Sequence, residues 1–139
     1  MKQLTALLIL ISVVFSCEKK EKKEDLLFDE VMVIHDEATI EMSTLRKLAK
    51  KLEARVDSLQ NMENTVDSIK IVELRNVVLM LREANKGMTD WMYDFKQLSD
   101  TVDSEVAISY LTEQKILISK VKKEMFEAKT QGELLLGIK

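Results

Sequence analysis

This sequence predicts an all-α fold, an antiparallel up-down-up three-helix bundle of long, coiled-coil-like helices. Three observations predict it. The 139 residues include no proline and only three glycines, so few positions interrupt a helix. Apolar residues recur at intervals of three and four along three stretches, the spacing of a helix with one buried face. Two polar segments, "NMENTVDS" and "SDTVDSE", separate those stretches and supply turn and capping residues. One amphipathic helix leaves its apolar stripe wet, whereas three joined by short turns share a single core. The rival arrangement is an extended coiled coil that dimerises; the two polar breaks favour the folded-back form.

The chain starts with a segment unlike the rest. Lys2 is the only charge before Glu18, and Leu4 to Phe15 is apolar apart from Thr5 and Ser12. That run is too short to cross a hydrocarbon layer of about 30 Å as a helix. A basic tip, a short apolar run and the small residue Ser16 are the parts of a secretory signal, here residues 1–16. Cys17, the only cysteine, follows directly. It has no partner for an internal disulfide, and an unpaired thiol outside the cytoplasm is a reactive liability.

"VVFSC" resembles a bacterial lipobox, and "FSC" followed by lysines is similar to lipoproteins of the Bacteroidota. The resemblance implies cleavage between Ser16 and Cys17 and a diacylglycerol thioether on Cys17. Two or more acyl chains anchor stably, at about 0.8 kcal/mol per buried methylene. The place implied is the bacterial cell envelope, lipid-anchored at the outer membrane. A charged segment just after the cysteine resembles a surface-export signal. Residues 17–25, with "EKKEKKED", then form a tether expected to stay extended or weakly helical.

The first helix is expected over about 26–60. Its stripe is Leu27, Val31, Ile34, Ala38, Met42, Leu45, Leu48, Leu52, Val56 and Leu59. Asn64, with Asp67 three residues on, suits the start of a second helix over about 65–98. Its stripe is Leu74, Val78, Leu81, Ala84, Met88, Trp91, Met92, Phe95 and Leu98, and Gly87 inside it suggests close helix contact. Asp100 with Asp103, or Thr101 with Ser104, can open a third helix over about 103–133. Its stripe is Ala107, Leu111, Gln114, Ile118, Val121, Met125, Ala128 and Leu135, with Gly132 and Gly137 letting the end fray.

Folding the helices about those turns sets residue 35 opposite about 90, and 90 opposite about 112. One layer then contains His35, Met88, Trp91, Met92, Tyr110 and Gln114, with Met42 two turns deeper. The layer lies at the end that Cys17 would hold toward the membrane. His35 with Met42, Met88 and Met92 offers imidazole and thioether donors, a set suited to copper(I). Haem held by His and Met is a further expectation of the same kind. The plainer reading is core packing, with methionines filling gaps and His35 hydrogen-bonded to Asp36, Glu37 or Gln114. His35 and Asp36 are neighbours on a helix and are expected to point apart, so they do not make a ready dyad.

No catalytic constellation is visible. The chain has one histidine, no cysteine pair and no glycine-rich phosphate loop. Its net charge is −3, and loss of Lys2 with residues 1–16 takes it to −4. That gives no basic field for nucleic acid.

Three segments resemble one group of small Bacteroidota lipoproteins: "VIHDEATIEMSTLRKLAKKL", "LREANKGMTDWMYDF" and "AISYLTEQKILISKVKKEM". Members are often called "viral A-type inclusion protein"; no viral function is implied. Thr89 stands where the group often has a second methionine. The resemblance implies no particular activity. The functional expectation is a non-enzymatic binding or structural module without a cofactor, held on the membrane by lipid and contacting an envelope protein. The alternative is a copper- or haem-binding envelope protein.

Overall fold

A computed structural model of the chain describes residues 2–61, 68–99 and 101–138, with side chains from residue 23 onward. Three helices form it: α1 (Lys2–Gln60), α2 (Ser68–Asp94) and α3 (Ser104–Leu136). Each packs on the other two. The fold is the all-α three-helix bundle that the stripes predict.

The topology follows from side chains that meet across helices. Glu53 pairs with Arg82, and the His35 ring lies 5.7 Å from Trp91, so α1 and α2 run antiparallel. Glu30 pairs with Lys115, Glu37 with Lys122 and Glu41 with Lys129, so α1 and α3 run parallel. The three lysines are seven residues apart, which puts them on one edge of α3. Pairs this exposed each contribute about 0.2–1 kcal/mol. Glu41–Lys129 is the best sheltered, with side chains 16% and 24% exposed.

The core is an apolar seam along the axis. Val31, Ala38, Leu45 and Leu52 of α1 meet Leu74, Leu81 and Met88 of α2 and Ile118 and Met125 of α3. No buried residue among the described ones is polar or charged. Every described stripe residue of α1 and α3 is at least half-buried. On α2 the exception is Met92, which is 37% exposed. Trp91 already faces the core, and its neighbour on a helix turns about 100° away.

Several element boundaries differ from the expected ones. The α1 backbone is helical through residues 17–25 instead of extended there. Glu and Lys are strong helix formers, and neither proline nor glycine occurs before Gly87. The tether therefore spans about 13 Å as a helix. The α2 helix ends at Asp94 and not near residue 98. There the Lys96 amide donates to the Tyr110 hydroxyl at 2.7 Å instead of continuing the helical ladder. Asp103 itself caps α3, its carboxylate accepting from the amides of Glu105 and Val106. The capping residues Asn64, Asp67 and Asp100 lie outside the described residues.

The glycines exchange their expected roles. Gly137 does not fray α3 but closes it in the left-handed region at φ 67°. The Ile138 amide reaches back to the Glu133 carbonyl at 2.9 Å, as in a Schellman ending. Gly132 is buried: a methyl group there would sit 3.2 Å from Leu81 Cδ1 and 3.4 Å from Leu48 Cδ1. The close helix approach expected at Gly87 is thus found at Gly132. A methyl at Gly87 meets nothing within 4 Å. Gly87→Ala is therefore expected to stabilise the bundle by about 0.5–1 kcal/mol, read as a rise in the midpoint of urea unfolding.

Candidate functional site

The layer expected at the Cys17-proximal end exists in part. His35 packs on Trp91 at 5.7 Å, Trp91 stacks on Phe95 at 4.9 Å, and Phe95 leans on Tyr110 at 6.0 Å. This row of rings runs from α1 across the end of α2 to α3. Met88, one turn before Trp91, is fully buried. Gln114 is half-buried, and Met42 is half-buried against the core. Met92 turns outward. Phe95, a member of the expected stripe but not of the expected layer, links the row.

His35 has both ring nitrogens engaged. Nδ1 lies 2.9 Å from Asp36 Oδ1, and Nε2 lies 3.3 Å from the Thr39 hydroxyl. The expectation that His35 and Asp36 point apart is corrected. On one helix the short Asp36 side chain swings sideways at the exposed edge, where the imidazole reaches it. Nδ1–H donates to the Asp36 carboxylate, which can only accept, and the Thr39 hydroxyl can either donate to Nε2 or accept from it. Of the thioethers expected beside His35, Met88 is fully buried, Met42 is half-buried and Met92 is exposed. Among the described residues there is no group of three or more His, Cys, Asp or Glu side chains suited to a metal ion.

The indole Nε1 of Trp91 is buried without a hydrogen-bond partner. Its environment is the ring row and the apolar seam, so the indole serves as packing at the expense of an unsatisfied donor. No sequence signal marks this atom, because partner geometry and not residue type decides it.

Two surface grooves flank the layer. One, of about 410 Å³, lies where Phe95–Leu98 meet the start of the bundle on α1, lined by Phe28, Leu111, Glu24, Asp25 and Asp29. The other, of about 450 Å³, runs between α2 and α3 over Gly87 and Ala128, edged by Glu83, Glu124 and Glu127. Beside it Lys86 is held above its ordinary pKa of 10.5, first by its hydrogen bond to Asp90 and then by that carboxylate's charge. A raised folded-state value means that this exposed pair contributes below pH 10.5 and is lost as pH rises beyond it. Cys17, the remaining candidate, lies on the described α1 backbone, but its side chain lies outside the described residues.

No known protein family matches this chain, and neither a curated protein nor a solved structure matches it.

Proposed function

We propose that this chain is a lipid-anchored protein of the bacterial cell envelope, fixed to the membrane through Cys17. The bundle acts as a non-enzymatic binding or structural module, displayed from the outer membrane. The observation that carries the reading is the position of the lone cysteine, between the apolar run Leu4–Phe15 and the charged "EKKEKKED". Among the described residues no helix is long and apolar enough to cross a membrane, so attachment of this kind rests on acyl chains. Two such chains hold a protein stably where one does not.

The bundle supports the module reading in two ways. Its buried apolar residues form one shared seam, which makes a stiff rod. Its charged residues lie outward, where a partner protein of the envelope meets them. The likeness of three segments to small Bacteroidota lipoproteins points the same way.

The test is metabolic labelling with palmitate in a bacterium that processes lipoproteins. Wild-type chain is expected to take up label and fractionate with membranes. Cys17→Ala is expected to lose all label. Equal labelling of the two chains would refute the anchoring.

A further inference from the structure

We propose that the outer face of α1 is a self-complementary surface that binds a second copy of this chain, with the two α1 helices antiparallel. The inference does not depend on the lipid anchor. It rests on how apolar and charged residues are distributed along this one face.

Leu26, Val33 and Ile40 are 56%, 56% and 74% exposed. They are seven residues apart, so they form one line on the side of α1 opposite Val31, Ala38 and Leu45. Single exposed aliphatics are ordinary; three in heptad register on an unpartnered helix face form a seam. Both α2 and α3 pack on the other side of α1, so nothing among the described residues covers this line.

The charges on the same helix are segregated. Between Lys23 and Arg46 there are seven carboxylates and no lysine or arginine. Arg46, Lys47, Lys50 and Lys51 follow, all exposed, with no acid before Glu53. Every described lysine of α3 is ion-paired. The four cations of α1 have no ion-pair partner among the described residues.

A twofold interface needs a surface whose two halves complement each other, because residue i meets j and j meets i. This face meets that requirement. Crossing two α1 helices antiparallel about the point midway between Glu41 and Met42 brings Asp36 level with Lys47 of the second copy, and Val33 level with Lys50. Asp29 and Asp36 then flank Lys50, and the lysine stems lie over the aliphatic line while their ammonium groups reach the acids. The overlap, Leu26 to Asp57, is about 47 Å long. Parallel pairing would instead set acids on acids and lysines on lysines.

Sedimentation equilibrium of the full chain in nonionic detergent tests this. The wild type is expected to reach twice its 16.0 kDa chain mass. Raising salt from about 50 mM to about 500 mM is expected to weaken the dimer roughly tenfold. Lys47→Glu with Lys50→Glu, and separately Asp29→Lys with Asp36→Lys, should each give monomers with unchanged helical circular dichroism. Mixing the two variants should restore a one-to-one dimer. A wild type still monomeric at about 100 μM, variants that dimerise alone, or a mixture that stays monomeric would each overturn the proposal. So would a monomeric wild type whose binding to phosphatidylglycerol vesicles is lost in Lys47→Glu/Lys50→Glu, which would give the cations to a lipid surface.

Discussion

Trp91→Ala is expected to destabilise the bundle by about 3–5 kcal/mol, the range for deleting a large buried aromatic. Trp91 is only 7% exposed and holds the middle of the ring row between His35 and Phe95. Its removal empties a layer to which all three helices contribute, and α2 ends one turn later, so little helix remains to close the gap. Trp91→Phe is expected to cost much less. It keeps a ring between His35 and Phe95 and removes the buried indole N–H that has no partner, whose desolvation costs about 1–3 kcal/mol. Chemical unfolding followed by circular dichroism at 222 nm measures both. A Phe variant as unstable as the Ala variant would show that indole shape, and not ring stacking, holds the layer.

Leu81→Ala is expected to cost about 2–5 kcal/mol, because Leu81 is almost fully buried and lies against Gly132 of α3. The loss should be partly recoverable from across the interface. The space that Leu81 Cδ1 fills lies 3.2 Å from the place of a Gly132 methyl. Gly132→Leu alone overfills that contact and is expected to cost about 1–3 kcal/mol. In Leu81→Ala/Gly132→Leu the new side chain has the vacated volume to enter. The double variant should therefore be more stable than the sum of the single losses by about 0.5–3 kcal/mol. Strict additivity in a double-mutant cycle would mean that the two positions do not share this volume.

The sequence made the bundle legible because its longest stripe is unbroken. Ten stripe positions over more than four heptads of α1 allow only one buried face, and with the turns placed, His35 falls opposite the end of α2. The site was harder to read at its edges. Register alone puts Met92 in the layer with Trp91, but Trp91 occupies the inward direction and Met92 turns outward. Ile71 and Val77 are buried but fall outside the stripe, because α2 turns a slightly broader face to its two neighbours at its start. Tyr110 ends α2 through a hydroxyl fourteen residues away, a tertiary contact that periodicity does not encode. Gly132 and Gly87 look alike as letters; only the approach of Leu48 and Leu81 separates a contact glycine from one over open space. His35 and Asp36 meet through a side-chain swing that helix geometry permits without requiring.

The bundle is a rod built on one buried apolar seam, and its proposed attachment is chemical, at one sulfur atom. Intact-mass spectrometry of the chain extracted from the envelope of its native cell tests that attachment most directly. The predicted result is a polypeptide that begins at Cys17 and carries the added mass of a diacylglycerol thioether. A chain retaining Met1 to Ser16, or one beginning elsewhere with Cys17 as a free thiol, would contradict it.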